Sequence, residues 1–244
     1  MIIEYLIYFI VTILLSTLFA VAGLGSAVGL VPSLNIVGVS FEFARTSGLF
    51  VNALTTITTS LLNLKRGVFE SRFVAPLVIS SVLFALVGAQ ISLIFDVEVV
   101  KTIFAITLLV IASMILFFKK PIHQKSRKNR AVLLFSGAVG GFFSGFLGIG
   151  GGSIISPILL LFGYDAKKIA IGISFVIPLS SIVGFASYAS VIDLDYILLA
   201  VVGVAAIIGG MMGNYILHFK ISSTVIKKIL ALALYLIALK MLLI

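Results

Sequence analysis

Cysteine is absent from this 244-residue chain, and charged side chains make up only 10% of it. The lack of cysteine excludes disulfides, a thiolate metal site and a cysteine nucleophile. A soluble chain averages about 25% charged residues, whereas here 61% of the residues are hydrophobic. The composition therefore indicates a protein that crosses the membrane many times and has no soluble domain.

Carboxylates and imidazoles are missing from the interior of every predicted span. The two histidines, His123 and His218, fall in a loop and at the end of a span. An intramembrane enzyme would need a nucleophile with a base, or a metal cluster, at depth. A proton relay would need a buried carboxylate or histidine. We therefore expect no enzymatic activity, no metal site and no cofactor.

The charges that are present are unevenly placed. The net charge is +9, and six basic residues lie within 119–130. Further basic residues lie within 65–72, 167–168 and 220–228, while acidic residues lie at 96–98 and 193–195. Because loops rich in lysine and arginine stay in the cytoplasm, we expect the basic loops there, including 119–130. The basic excess is thus explained by the lipid bilayer and does not predict binding to nucleic acid.

Two apolar runs, 2–37 and 131–162, are too long for one membrane crossing and too short for two full crossings. As one straight helix the first would measure about 54 Å, against a bilayer core of about 30 Å. Both runs are broken by glycines and then by a proline, Pro32 or Pro157. Each run therefore predicts a hairpin of one long and one short arm, whose tip lies inside the membrane against protein or a water-filled cavity. The prolines could kink the short arm or begin its helix, and both alternatives are open.

The remaining apolar segments predict ordinary spans. Placing every basic loop in the cytoplasm requires both hairpins to return to the side they entered, and it leaves both chain termini outside. The halves then have opposite orientations. We predict an all-α polytopic membrane protein of about ten helices in two inverted repeats, 1–118 and 131–244, joined by the basic cytoplasmic loop 119–130. Each repeat is a broken-helix hairpin plus three transmembrane helices, with spans at about 43–64, 73–95, 99–118, 169–190, 196–217 and 224–244.

Internal similarity supports this duplication. At an offset of 125 residues the pairs are Gly23 with Gly148, Gly25 with Gly150, Pro32 with Pro157, Thr55 with Ser180 and Thr56 with Ser181. Later in the repeat we expect the register to slip, so that Gly88 pairs with Gly209.

The segment SGFLGIGGGSIISPILL (144–160) and its weaker copy AGLGSAVGLVPSL (22–34) resemble the TauE/SafE family of sulfite and organosulfonate exporters, also called TSUP permeases. With the basic central loop and the two similar halves, the resemblance covers essentially the whole chain. It implies a multi-pass permease of the plasma (inner) membrane of a bacterium or archaeon, which moves small anions bearing a sulfur oxyanion group. The first copy departs from the pattern, since it has Ser26 and Ala27 where the second has Gly151 and Gly152.

The hairpin tips are the main candidates for the substrate site. If the short arms begin there, two helix N-termini approach the membrane centre from opposite sides, and their free N–H groups favour an anion. Three consecutive glycines favour a substrate site, whereas the spacing of Gly137, Gly141 and Gly145 favours close helix packing. The predicted tip residues are Gly25, Ser26, Gly150, Gly151, Gly152 and Ser153.

Polar side chains in the spans after the hairpins are further candidates. Serine and threonine often bond only their own helix, but their repetition in both halves suggests a cavity lining. Arg45 lies near the outer end of its span, where it could attract the anion, pair with Glu42 one turn earlier, or snorkel. The predicted substrate-binding residues of the spans are Asn52, Thr55, Thr56, Ser180, Ser181 and Arg45, and Ser174 and Pro178 lie near the last pair.

We therefore expect a secondary transporter that exports sulfite or sulfonates such as sulfoacetate or taurine by alternating access. The membrane potential would drive the export of an anion from a negative-inside cell. The alternatives are an anion channel, a permease for another small organic or inorganic anion, an importer, and a scaffold without transport. The sequence leaves open whether the unit is a monomer or a homodimer.

Overall fold

The computed structural model describes residues 2–22, 25–117, 129–217 and 223–243. These residues form helices and connecting turns, and they contain no strand. The structure confirms the all-helical fold. The ten helices are α1 (Ile2–Ala22), α2 (Ala27–Ile36), α3 (Phe41–Lys65), α4 (Ser71–Ser92), α5 (Val97–Phe117), α6 (Arg130–Leu147), α7 (Gly152–Leu161), α8 (Ala166–Ala189), α9 (Tyr196–Leu217) and α10 (Ser223–Leu243).

Six helices are long and apolar enough to cross a membrane: α1, α4, α5, α6, α8 and α9. Large apolar side chains such as Leu83 and Ile106 point outward, with 59% and 52% of their surface exposed. An apolar exterior of this kind suits lipid rather than water. The six predicted ordinary spans begin and end within three residues of α3, α4, α5, α8, α9 and α10. The protein is an integral membrane protein.

The two halves have the same order of long and short helices. α1 ends at Ala22 and α6 at Leu147, 125 residues later, and the same offset relates the starts of α2, α3 and α4 to those of α7, α8 and α9. The offset changes only at the last pair, where α5 begins at Val97 and α10 at Ser223. Residues related in this way are called repeat mates below.

The predicted pairing of Gly88 with Gly209 is wrong, because α4 and α9 keep the offset of 125. The repeat mate of Gly88 is Gly213, and the packing agrees. A Cβ on Gly88 would collide with the carbonyl oxygen of Phe142, and one on Gly213 would lie 2.7 Å from that of Thr17. Phe142 and Thr17 are themselves repeat mates, so both glycines allow the same close helix contact.

The contacts between helices are also equivalent in the two halves. α4 packs on α6 as α9 packs on α1, and α4 packs on α8 as α9 packs on α3. In addition, α3 packs on its own equivalent helix α8, and α5 packs on its own equivalent helix α10. α3 and α8 are antiparallel, since Asn52 contacts Ser181 while Asn63 contacts Ser174. These relations are those of two inverted repeats around the α3–α8 pair.

Each hairpin returns to the side that it entered, as the loop charges predicted. In the second hairpin, the Tyr164 hydroxyl donates to the Asn129 carbonyl at 3.3 Å, so the start of α6 lies beside the end of the short arm. In the first hairpin, Glu4 and Val39 line the same groove. The tips therefore lie inside the molecule, away from the hairpin ends.

The prolines lie inside the short arms. Pro32 is within α2 and Pro157 within α7, so neither begins its helix. A proline has no N–H to give to the carbonyl four residues earlier, which frees the carbonyls of Val28 and Ser153 close to the tips.

The two ends of the molecule differ in charge. We call the end with Glu4, Asp193 and Asp195 the acidic end, because these side chains share one groove there. We call the opposite end, with Lys65 and Lys168, the basic end. Of the predicted basic loop 119–130, residues 119–128 lie outside the described residues, as does Gly23.

Candidate functional site

Both hairpins turn on glycines with left-handed backbone. Gly25 has φ +88°, and its repeat mate Gly150 has φ +71°. An L side chain rarely adopts this conformation, so glycine is needed at both turns. α2 then begins at Ala27 and α7 at Gly152, in agreement with the predicted tip positions.

Asn52, in the middle of α3, contacts both tips. A Cβ on Gly25 would lie 2.7 Å from Asn52 Oδ1, and a Cβ on Gly150 would collide with Asn52 Nδ2. Nδ2 donates to Ser181 Oγ of α8 at 3.1 Å. Asn52 is fully buried, and its Oδ1 has no hydrogen-bond partner among the described residues. The two tips, α3 and α8 thus converge on one buried amide.

The groups beside Asn52 are mostly hydrogen-bond donors, whereas the unpartnered Oδ1 of Asn52 is itself an acceptor. Ser26 is the N-cap residue of α2, and its buried hydroxyl has no hydrogen-bond partner among the described residues. The first N–H groups of α2 and α7 have no acceptor within their own helix, and each N-terminus carries about half a positive charge. The two tips and the α3–α8 pair thus bring hydroxyl, amide and backbone donors into the interior, and no carboxylate is buried in the described part of α3 and α8. No group of three or more histidine or acidic side chains that could hold a metal ion occurs among the residues described.

The tip glycines divide into two groups. Gly25 and Gly150 face Asn52, whereas Gly151 and Gly152 face neighbouring helices. A Cβ on Gly151 would lie 2.7 Å from the Gly140 carbonyl of α6, and one on Gly152 would lie 2.6 Å from Ile177 of α8. Packing therefore accounts for the missing side chains at positions 151 and 152. Ser153 is buried in the first turn of α7, 3.5 Å from the Gly150 carbonyl.

Three of the predicted hydroxyls bond mainly their own helix. Thr56 donates to the Asn52 carbonyl at 2.5 Å, and Ser180 donates to the Ile177 carbonyl at 3.2 Å. Thr55 donates to the Val51 carbonyl at 2.8 Å, while its methyl group packs toward Gly210 of α9. Of the predicted span residues, the structure brings Asn52 and Ser181 to the tips and leaves Thr55, Thr56 and Ser180 as supports.

Arg45 neither pairs with Glu42 nor snorkels. Its side chain is buried, Nη1 donates to Ser92 Oγ at 2.6 Å, and Cζ lies 4.1 Å from the centre of the Tyr188 ring. It is seven residues before Asn52, which is about 10 Å along α3 toward the acidic end. Arg45 is therefore not part of the group around Asn52.

A second polar group, at the basic end, was only partly visible in the sequence. The Ser60 hydroxyl donates to the Ser174 carbonyl, and Asn63 Nδ2 donates to Ser174 Oγ at 3.0 Å. Pro178 cannot donate to the Ser174 carbonyl, so Ser60 supplies the missing partner. A polar residue every four positions, at 52, 56 and 60, was the signal that this face of α3 meets α8.

Comparison with known proteins agrees with this architecture. The model of the family described as "Sulfite exporter TauE/SafE" matches residues 8–241. A probable membrane transporter protein of Methanocaldococcus jannaschii is 36% identical over 107 residues, which cover 42% of this chain and 39% of that protein. The match thus spans about two fifths of that relative. Since the family model covers nearly all of the helices described above, the chain belongs to the TauE/SafE family of membrane transporters.

Proposed function

We propose that this transporter exports small sulfur-oxyanion compounds, such as sulfite, sulfoacetate or taurine, by alternating access. The membrane is the plasma membrane of a bacterium or archaeon. The basic end faces the cytoplasm and the acidic end faces outward, because loops rich in lysine and arginine stay in the cytoplasm. Both chain termini are then outside.

The convergence of both hairpin tips on Asn52 carries this proposal. A sulfonate or sulfite needs several donors around its oxygens, and the Asn52 amide, the Ser26 and Ser181 hydroxyls and the first N–H groups of α2 and α7 provide them. No formal positive charge is required at this point, so the anion is held by partial charges and can leave again. Asn52 and these donors lie near the middle of the α3–α8 pair, so an anion can approach them from either end of the molecule.

Export follows from the charge of the substrate. An anion that leaves a negative-inside cell gains about 2.3 kcal/mol per charge for each 100 mV. Since the described spans contain no buried carboxylate or histidine, we propose that the potential drives transport without proton coupling.

Uptake of labelled sulfite, sulfoacetate and taurine into proteoliposomes tests the proposal, with and without an imposed potential. Wild type is compared with Asn52→Ala and with Ser136→Ala, a buried serine of α6 that bonds its own helix. Loss of hydrogen bonds to a charged ligand, at about 1.5–3 kcal/mol, predicts a 10- to 100-fold lower transport efficiency for Asn52→Ala only. Flux that does not saturate would identify a channel. A strict need for a proton gradient at fixed potential would contradict the driving force proposed here.

A further inference from the structure

Arg45 is the only charged side chain that is buried among the side chains described, with 2% of its surface exposed. Its repeat mate is Ala170, which is exposed. The arginine is therefore not required by the architecture that the two halves share, and packing alone does not explain it.

The positive charge of Arg45 is only partly compensated. Nη1 donates to Ser92, and the Tyr188 ring covers the guanidinium face, but Nε has no acceptor among the described residues. No carboxylate in the described part of the chain lies within ion-pair distance of the guanidinium. Buried charges in proteins are normally paired and hydrogen-bonded, because leaving water costs several kcal/mol per ion. A group with a negative charge would complete this site.

The surroundings hold the guanidinium in one orientation. The Tyr188 hydroxyl donates to the carbonyls of Gly145 at 2.5 Å and Phe146 at 3.3 Å, which fixes the ring under Arg45. A ring stacked on the face of a guanidinium leaves its edge, where the N–H groups lie, available to a ligand. Gly148, at the second tip, lies directly against Arg45, since a Cβ there would be 2.7 Å from Arg45 Cβ. The site is thus next to the tips and still distinct from Asn52.

We propose that Arg45, with Ser92, forms a second anion-binding site on the acidic side of the hairpin tips. It takes the same class of ligand, a sulfite or sulfonate whose oxygens accept from the guanidinium edge, and so it rests on the proposed function. An anion passes between this site and Asn52 when the acidic end opens. Because the repeat mate is alanine, the position equivalent to Arg45 in the other half carries no positive charge.

Ser92→Asp tests the second site by supplying the anion from the protein itself. The carboxylate replaces the hydroxyl that Arg45 contacts, so it pairs with the guanidinium and occupies the site. We expect a melting temperature no lower than that of wild type, because a buried charge becomes paired. We expect the half-saturating concentration of sulfoacetate in proteoliposomes to rise about tenfold, which corresponds to the loss of about 1.4 kcal/mol of binding.

Two further variants complete the experiment. Arg45→Gln, which keeps hydrogen-bond donors but loses the charge, is expected to raise the half-saturating concentration by a similar factor. Ser190→Asp adds a carboxylate at an exposed position of the acidic end and is expected to leave transport unchanged. A purely structural arginine would instead give a Ser92→Asp protein that is stable and transports like wild type, and this result would overturn the second site.

Thermal shifts in detergent separate the two proposals. A ligand that binds the folded state raises the melting temperature, so sulfite or sulfoacetate should raise that of wild type, and raise it less in Ser92→Asp. If the shift is smaller in Ser92→Asp than in wild type but wild type transports none of the anions, the second site stands and the transport proposal fails. If wild type transports and Ser92→Asp behaves identically in both assays, only the second site is wrong. Absence of both transport and thermal shift in wild type would contradict both.

Discussion

The two ends of the α3–α8 pair are related by the internal repeat, but their polar side chains differ in whether they have hydrogen-bond partners. At the basic end, Ser60, Asn63 and Ser174 bond one another and the carbonyl that Pro178 leaves free. At the acidic end, Arg45 keeps a donor without an acceptor among the described residues. The two ends have the same arrangement of helices, whereas the hydrogen bonding of their side chains differs. Satisfied polar groups indicate structure, and an unsatisfied buried charge indicates a ligand.

The two ends also differ in burial. Tyr188 is fully buried, while its repeat mate Asn63 is half-buried. Arg45 is buried and its repeat mate Ala170 is exposed. At these two positions the α3–α8 pair is thus more deeply buried toward its acidic end than toward its basic end. The alternating access proposed above would require the two ends to differ in this way in any single state.

The largest loss of stability is expected at Gly88 and Gly213, where the two halves pack in the same way. Gly88→Ala and Gly213→Ala each push a Cβ into a helix backbone, which typically costs about 1–3 kcal/mol. Gly88→Ala should be the worse of the two, because its Cβ would also lie 2.9 Å from the backbone nitrogen of Phe146. Thermal unfolding in detergent measures both.

The control for this pair is Gly184→Ala, whose Cβ would meet only the end of the Leu49 side chain at 3.0 Å, apart from distant atoms. It should cost less than about 1 kcal/mol because a leucine can shift. Equal stability of Gly88→Ala and the control would contradict the close packing of α4 on α6.

A smaller effect is expected from the polar group at the basic end. Ser60→Ala leaves the Ser174 carbonyl without its donor and should cost about 1 kcal/mol. In a Pro178→Ala background residue 178 regains its N–H, so the same change should cost less. A double-mutant cycle by denaturant unfolding measures this coupling. Additive costs would show that Ser60 does not serve the carbonyl that Pro178 frees.

Placing a cation at the basic end tests the asymmetry directly. Ala170→Arg puts a charge at the repeat mate of Arg45, at an exposed position. A screened charge near the pathway is worth about 0.5 kcal/mol, so the half-saturating concentration on the basic face should fall about twofold. Transport from each face of oriented proteoliposomes measures it, with Ala170→Gln as the uncharged control. A similar fall in the control would assign the effect to side-chain size.

The smallest losses of stability are expected at two exposed contacts, one at each end of the molecule. Lys168 Nζ lies 2.5 Å from Glu70 Oε2, and the Tyr5 hydroxyl donates to Asp195 at 3.1 Å, with Glu70 and Asp195 being repeat mates. Both contacts are partly or fully exposed, so Lys168→Met and Tyr5→Phe should each cost less than about 1 kcal/mol. Added salt should reduce only the Lys168 effect. A salt-independent cost for Lys168→Met would point instead to the contact of Lys168 Nζ with the Phe73 ring, 4.9 Å from its centre.

The sequence predicted most of the architecture because the bilayer restricts it strongly. Three local properties predicted the hairpins and the six other helices: the length of each helix, the need to satisfy every backbone polar group, and the cytoplasmic location of basic loops. The register slip at Gly88 was wrong because it matched glycines by type. The structure matches them by the backbone that each approaches, Phe142 for Gly88 and Thr17 for Gly213.

The candidate site was less predictable. The sequence placed Asn52 on a polar face of its helix, but its contact with both Gly25 and Gly150 depends on how α3 packs against two separate hairpins. The burial of Arg45 was missed for the same reason, since its partners Ser92 and Tyr188 belong to other helices. Local spacing to Glu42 favoured a surface pair that the tertiary packing overrides.

The hydroxyl of Tyr188 has a mechanical consequence. By bonding the last carbonyls of α6 it ties the second hairpin tip to α8, so a displacement of α8 either carries that tip along or breaks two hydrogen bonds. The repeat mate Asn63 bonds Ser174 instead, so this position gives the first hairpin no such tie. In any rearrangement the second hairpin tip is therefore coupled to α8 by these two hydrogen bonds, whereas the first hairpin has no equivalent coupling at this position.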